Sequence, residues 1–158
     1  MNKFNTADLC DIHNLQIAKP IFKSFGFNTH CYGQIKTVEA IEDNSYVKKL
    51  LQEDGSGYVM VVDGKGSENC ALVGDNLAAL GAKNNWAGII VNGCIRDSLE
   101  INNINISIKA LNLVPNKSEK RDIGKYGLDL NFAEVTFIEN QYIYSDPDGI
   151  VLSATKLF

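Results

Sequence analysis

The sequence predicts an α/β domain with a mixed central sheet, flanking helices and an added antiparallel layer. Residues 58–62 and 88–92 are apolar runs without alternation, which is typical of strands buried on both faces of a sheet. Segments with the apolar periodicity of helices lie between such runs in the middle of the chain. Short segments with strand patterns dominate the last third. With 158 residues and 45% apolar content, the chain is predicted to form a single domain over 1–158.

The first half of the chain predicts alternating helices and strands. Thr6 is a preferred cap residue, so it is expected to begin the first helix. β-Branched residues with polar neighbours then predict a half-buried strand, and cap residues at 42–45 precede a second helical period. The predicted elements are a helix over 6–13, a strand over 31–41, a helix over 46–51, a strand over 58–62 and a helix over 71–84.

The second half predicts mainly strands. Pro115 ends one of them, and the polar stretch that follows has no pattern to order it, so a mobile loop is expected there. Turn residues separate the last strands. The predicted elements are a strand over 88–92, a helical turn over 97–102, a strand over 106–114, a loop over 116–126, and strands over 132–138, 141–144 and 149–153.

Composition disfavours several classes of partner. The chain has 15 basic and 19 acidic residues and no long basic run, so direct binding of nucleic acid is not expected. No apolar run approaches the roughly 20 residues that span a bilayer, and no secretory leader is evident. The four cysteines lack metal-ligand spacing and are interpreted as reduced thiols, mostly in the core. A soluble, cytoplasmic protein without membrane contact is predicted.

A group of charged residues follows the strand at 88–92. Arg96, Asp97 and Glu100 come shortly after Asn92 and Gly93, near the carboxyl end of the strand, where ligand sites of α/β proteins gather. Asp75, separated from Arg96 by twenty residues, opens a helical pattern. We therefore place the candidate site where these residues meet.

Each of these residues also has a purely structural interpretation. Arg96 and Asp97 could form a surface ion pair or cap a helix. Asp75 could be an ordinary N-cap, and the cap and the site are compatible, because a helix N-terminus offers free N–H groups to an anion. The backbone of Gly74, Asp75, Asn76 and Leu77 could thus bind a substrate carboxylate.

Other motifs are weaker. The loop Gly64-Lys65-Gly66 fits neither nucleotide-binding template and is interpreted as a turn lining the pocket, where Lys65 could help to hold an anion. His13 and His30 have no partners at zinc-ligand spacing. Cys94 is interpreted as a packing residue rather than a nucleophile.

The pattern of Asp75, twenty residues, Arg96-Asp97 and Glu100 resembles the RraA-like family, which includes 4-hydroxy-4-methyl-2-oxoglutarate aldolases. The resemblance continues in further segments along nearly the whole chain, at 6–11, 33–35, 61–64, 86–88 and 148–150. It implies a swivelling β/β/α fold and a homotrimer.

The same resemblance implies a site and a reaction. Asp97 would hold Mg²⁺ or Mn²⁺ through retained waters, Asp75 and Glu100 would orient those waters, and Arg96 would face the C4 oxygen. The expected reaction is cleavage of 4-hydroxy-4-methyl-2-oxoglutarate, or a similar 4-hydroxy-2-oxo acid, to pyruvate. Oxaloacetate decarboxylation is expected as a second activity.

The family also implies an alternative of another class, since it includes proteins that bind and inhibit ribonuclease E. Inhibitor members can lack the aspartate after the arginine, and this chain has Asp97, which favours catalysis. A menaquinone methyltransferase, an older label for such sequences, is not supported, because no glycine-rich methyl-donor loop follows the first strand.

Overall fold

The structure is a computed structural model that describes residues 3–158, and its mixed α/β architecture confirms the predicted fold class. Within these residues the helices are α1 (Thr6–Ile12), α2 (Ser45–Leu51), α3 (Asp75–Lys83) and α4 (Ser98–Ile101). The strands there are β1 (Gln16–Ile17), β2 (Lys23–Phe25), β3 (Cys31–Glu39), β4 (Tyr58–Asp63), β5 (Ala71–Val73), β6 (Gly88–Ile95), β7 (Ser107–Leu113), β8 (Lys125–Tyr126), β9 (Leu130–Phe132), β10 (Val135–Phe137), β11 (Tyr142–Asp146) and β12 (Gly149–Ser153).

The central sheet of the described chain is mixed, in the order β1-β12-β11-β3-β4-β6-β7-β2. Strands β3, β4, β6 and β7 run parallel to one another, and β5 pairs in parallel with the end of β6. The remaining pairings of the sheet are antiparallel. The carboxyl ends of the parallel strands therefore meet at one edge, as the sequence analysis requires for the site.

The packing around strand β4 explains why its sequence does not alternate between apolar and polar residues. Met60 and Val62 pack into a cluster with α2 and α3 on one face of the sheet. Val59 and Val61 pack on the other face into a cluster that includes the hairpin β9–β10. Both faces of the strand are covered, and these four side chains are fully buried.

The beginning of α1 differs from the prediction. The N-cap is Asn5, whose side chain accepts a hydrogen bond of 3.1 Å from the N–H of Ala7. Thr6 is buried, and its N–H and hydroxyl each donate a bond of 2.7 Å to the carboxylate of Asp146. Thr6 therefore attaches α1 to the end of β11 instead of capping the helix.

The predicted helix over 71–84 begins too early. Ala71 and Val73 lie beside Cys94 and Ile95 of β6 as the strand β5, and the helix starts only after Gly74. Strand β6 is correspondingly longer than the predicted segment 88–92 and continues to Ile95. These two errors are related, because β5 and the extension of β6 pair with each other, and the extension also pairs with the end of β7.

The segment 116–126, predicted to be mobile, is tied to the domain by backbone hydrogen bonds. The carbonyl of Asn116 accepts a bond of 2.9 Å from the N–H of Ala71, and β8 pairs with β3. The predicted strand over 132–138 is instead a hairpin of β9 and β10, with positive φ at Ala133 and Glu134. The very short strands β1 and β2 were not predicted.

The cysteines agree with their interpretation as reduced thiols that lie mostly in the core. Cys31, Cys70 and Cys94 are buried, Cys10 is half-buried, and all are free thiols. No helix within residues 3–158 has both the length and the apolarity that crossing a bilayer requires.

Candidate active site

The carboxyl end of β6 places Arg96 and Asp97. The N–H of Arg96 donates a hydrogen bond of 3.0 Å to the carbonyl of Val73, the last residue of β5. Asp97 then has φ 61° and ψ 44°, a left-handed conformation that an aspartate adopts more readily than most residues. This turn sends the chain directly into α4, so the two charged side chains lie at the tip of the strand.

The two halves of the sequence motif meet at the N-terminus of α3. The N–H of Asp75 donates a bond of 3.1 Å to Oδ2 of Asp97. The N-cap of α3 is Gly74, so the interpretation of Asp75 as the N-cap is wrong. Its own carboxylate accepts a bond of 2.8 Å from the N–H of Asn76. Asp97 thus supplies, from a neighbouring element, the negative charge that stabilises this helix end.

Gly74 permits the close approach of these elements. A Cβ atom at this position would lie 2.7 Å from Oδ2 of Asp97, closer than real Cβ contacts. The backbone there is extended, with φ −120° and ψ −169°, so the requirement is for space and not for an unusual backbone conformation.

A cavity of about 340 Å³ lies at this junction. Its lining contains every residue predicted to bind substrate, namely Gly74, Asp75, Asn76, Leu77 and Arg96, together with the predicted metal ligand Asp97. A helix N-terminus has four N–H groups without an intrahelical partner, and the N–H of Leu77 has none among residues 3–158. At this end of the cavity the N–H of Leu77 is therefore open to an acceptor.

Arg96 retains most of its hydrogen-bonding capacity. Its Nε lies 3.8 Å from Oδ2 of Asp97, a long ion pair, and its Nη1 donates a bond of 3.4 Å to the carbonyl of Pro115. A guanidinium has five N–H donors, and this side chain is 39% exposed. Donors are therefore left for a ligand in the cavity.

A second part of the lining, which the sequence did not predict, comes from α2 and from the segment after β7. It includes three lysines, Lys48, Lys117 and Lys120, which we call the lysine wall. Asn44 also lines the cavity, and its side-chain Oδ1 is buried without a hydrogen-bond partner in the described chain. These residues lie far apart in sequence, and no local pattern marks them.

Glu100 and the Gly64-Lys65-Gly66 loop lie outside the cavity lining. Glu100 is exposed on α4, so its role in orienting metal-bound waters stays a prediction. The loop does not line this pocket, contrary to its interpretation. Lys65 forms a 3.1 Å ion pair with Asp63 and a 3.5 Å ion pair with Glu39, and its hydrogen bond to Asp63 raises its pKa. The ammonium group of Lys65 is therefore already paired with two carboxylates of the protein.

Cys94 is 1% exposed, and burial raises the pKa of its thiol. Both facts agree with its interpretation as a packing residue. Trp86 is 4% exposed within the core, and its Nε1 donates to the carbonyl of Glu53. Neither residue belongs to the cavity.

Comparison with known proteins identifies the family. Residues 6–152 match the model of the RraA-like family, described as Aldolase/RraA. The chain is 47% identical to a protein of Alkalilimnicola ehrlichii over 96% of both chains, and 46% identical to one of Bacillus cereus over 98% of this chain and 99% of the relative. Both relatives are named "Putative 4-hydroxy-4-methyl-2-oxoglutarate aldolase".

Two solved structures are similar over nearly their whole length. One is described as an S-adenosylmethionine:2-dimethylmenaquinone methyltransferase from Geobacillus kaustophilus, with a TM-score of 0.95, 40% identity, and coverage of 98% of this chain and 97% of that chain. The other is described as the RNA-processing inhibitor RraA from Thermus thermophilus, with a TM-score of 0.95, 34% identity, and coverage of 99% and 96%. The family match, the close relatives and the shared fold together establish that this chain belongs to the RraA-like family.

Proposed function

We propose that this protein is a divalent-metal-dependent aldolase. It cleaves 4-hydroxy-4-methyl-2-oxoglutarate, or a similar 4-hydroxy-2-oxo acid, to pyruvate, and it also decarboxylates oxaloacetate. One observation carries the proposal: the carboxylate of Asp97, the guanidinium of Arg96 and the N-terminus of α3 line a single cavity. The names of relatives with 46–47% identity support the same reaction class.

The residues of the cavity fit a hard cation such as Mg²⁺ or Mn²⁺. Asp97, Asp75 and the unpartnered Oδ1 of Asn44 offer oxygen atoms only. No group of three metal-ligating side chains occurs among residues 3–158, so the cation would keep most of its waters, as Mg²⁺ commonly does. Asp97 would hold it and Asp75 would orient its waters. When bound, the cation supplies positive charge beside the keto oxygen of the substrate.

The residues of the chain bind and orient the substrate. The N-terminus of α3, with the free N–H of Leu77, binds the carboxylate next to the keto group. Arg96 donates hydrogen bonds to the C4 oxygen and stabilises the negative charge that develops there as the bond between C3 and C4 breaks. It does not act as a base, because a guanidinium keeps its proton at any physiological pH.

The lysine wall supports a substrate with two carboxylates. One end of 4-hydroxy-4-methyl-2-oxoglutarate is bound by α3 in this scheme, so its second carboxylate needs a partner elsewhere in the cavity. Lys48, Lys117 and Lys120 supply positive charge there. A short monocarboxylic 2-oxo acid would not use this charge.

The test is a coupled pyruvate-release assay on the purified protein with oxaloacetate and with 4-hydroxy-4-methyl-2-oxoglutarate. We expect turnover with Mg²⁺, loss of turnover with a chelator, and recovery when excess Mg²⁺ is added. Arg96→Ala and Asp97→Ala should abolish both activities while the protein stays folded, and Asp97→Ala should unfold at a somewhat lower temperature because the hydrogen bond from Asp75 is lost. Turnover that is insensitive to the chelator, or that survives either substitution, contradicts the proposal.

A second candidate function is binding and inhibition of ribonuclease E. The similarity to the RraA structure from Thermus thermophilus favours it, and the net charge of −4 suits a basic segment of a nuclease. A pull-down with an arginine-rich scaffold segment of ribonuclease E tests it. Retention that persists at physiological salt, together with slower RNA cleavage, supports regulation; an unretained protein argues against it.

The family resemblance also leads us to propose a homotrimer. Size-exclusion chromatography with light scattering should then give a mass three times that of the 17.4 kDa chain. A monomeric mass at micromolar concentration would contradict this assembly.

A further inference from the structure

Asp43 is a buried carboxylate between β3 and α2 that the proposed reaction does not use. It is 0% exposed. Its Oδ1 accepts bonds of 2.8 Å and 2.5 Å from the N–H and hydroxyl of Ser45. Its Oδ2 accepts bonds of 2.6 Å from the N–H of Arg121 and 3.3 Å from that of Ile123. One side chain therefore joins the start of α2 to the segment after β7.

Hydrogen bonds alone stabilise the negative charge of Asp43. Burial on its own would raise the pKa of this carboxyl group, but the bonds from Ser45, Arg121 and Ile123 lower it to about 2. No lysine or arginine of the described chain forms an ion pair with it. Asp43 is therefore ionised at every pH at which the protein would work, and its oxygens act only as acceptors.

The two elements that Asp43 joins carry the lysine wall. Lys48 lies on α2, and Lys117 and Lys120 lie on the segment after β7. A further bond of 3.3 Å, from the N–H of Asn44 to the hydroxyl of Ser118, links the same two elements beside the cavity. Lysine side chains are long and strongly hydrated, so their placement around a ligand depends on how firmly the backbone beneath them is held.

We propose that Asp43 is a positioning residue for this site: it fixes the segment 117–123 against α2, so that the lysine wall faces the substrate. The inference rests on the proposed aldolase function for its kinetic consequence. Its structural part, the attachment of the segment by the two backbone N–H groups, stands on the hydrogen bonds alone. Asp43 itself touches neither substrate nor metal in this scheme, since it is absent from the cavity lining.

The experiment compares Asp43→Asn with Asp146→Asn. Asparagine keeps the shape but replaces one acceptor oxygen by an NH₂ group, which cannot accept from an N–H. Asp146 is a matched control because it is 3% exposed and accepts bonds from Thr6, Asp148 and Gly149. It lies outside the cavity lining. Both variants should have lower thermal stability.

Only Asp43→Asn should change the site. We expect its KM for oxaloacetate to rise about tenfold or more while kcat changes less than threefold, because substrate capture is affected and the bond-breaking residues are intact. Amide hydrogen exchange of residues 117–123 should accelerate in this variant and not in Asp146→Asn. An unchanged KM with unchanged exchange, or an equal rise of KM in Asp146→Asn, overturns the inference.

Two further measurements cover the remaining outcomes. If the wild-type protein releases no pyruvate, the proposed function fails. In that case the role of Asp43 is tested by measuring the affinity of each protein for oxalate by calorimetry with Mg²⁺. Weaker binding of oxalate by Asp43→Asn than by the wild type supports the inference, and equal binding overturns it. If Asp43→Asn does not fold, Ser45→Ala removes the 2.5 Å hydrogen bond that orients the carboxylate of Asp43. Faster exchange of 119–123 without ligand supports the inference, and unchanged exchange overturns it.

Discussion

Replacing Gly74 by alanine should reduce activity strongly while lowering thermal stability by only a few degrees. The backbone there is extended, so alanine fits it without strain. The new Cβ, however, would lie 2.7 Å from Oδ2 of Asp97, whereas ordinary contact begins at 3.4 Å. The carboxylate must therefore move away by about 0.7 Å. It can do so cheaply, because it is the end of a side chain that is 35% exposed.

The substitution should instead change the geometry of the site. A shift of this size stretches the 3.1 Å hydrogen bond from the N–H of Asp75 beyond bonding distance. A hydrogen bond to a charged group contributes about 1.5–3 kcal/mol. If the reaction depends on the position of Asp97, kcat/KM should fall by about 10- to 150-fold.

The assay is pyruvate release from oxaloacetate with Mg²⁺, together with a thermal unfolding curve. Gly149→Ala is the control, since a Cβ at that position would have no atom within 4 Å. We expect it to keep wild-type kinetics, and we expect Gly74→Ala to unfold a few degrees below the wild type, because the lower unfolded-state entropy of alanine only partly offsets the lost hydrogen bond. Wild-type kcat/KM in Gly74→Ala would refute the dependence on Asp97.

Three other predictions address charge, acid stability and packing. Arg96→Lys keeps the positive charge but loses the planar set of donors, so pyruvate release should slow by about 100-fold; a rate near that of the wild type would show that charge alone suffices. Because the hydrogen bonds lower the pKa of Asp43 from 3.8 to about 2, its stabilisation is complete above pH 4. Roughly 2 kcal/mol of unfolding free energy should be lost between pH 4 and 2; urea unfolding across this range should show a shallower pH slope in Asp43→Asn, and identical slopes would contradict the assignment. Gly55→Ala would place a Cβ 2.2 Å from the buried ring of Trp86, and overpacking of this kind costs about 1–3 kcal/mol; an unchanged urea midpoint would contradict the tight contact.

The part of the site that follows a strand could be predicted from the sequence. An apolar run that ends in a charged pair identifies the carboxyl edge of a sheet, and the structure places Arg96 and Asp97 there. The spacing to Asp75 corresponds to one helix and one strand, which brings the two segments back to the same edge. The covering of both faces of β4 was likewise evident from its composition.

The remainder depends on contacts between distant segments. Ala71–Val73 carries a helical period, and pairing with β6 and with the segment after β7 makes it a strand. The lysine wall combines α2 with a polar segment about seventy residues later, and the acceptor that joins them is Asp43. No property of either segment indicates the other, since each looks like a solvated surface when considered alone.

The left-handed backbone of Asp97 limits what evolution can substitute at this position. With φ 61°, asparagine and glycine fit this backbone as well as aspartate does. A β-branched residue would be strongly disfavoured there, and glutamate would be disfavoured to a smaller extent. A lineage released from selection for catalysis is therefore expected to drift here towards asparagine or glycine. Such members would keep the fold while losing the negative charge at this turn, and under the proposed mechanism they would be inactive.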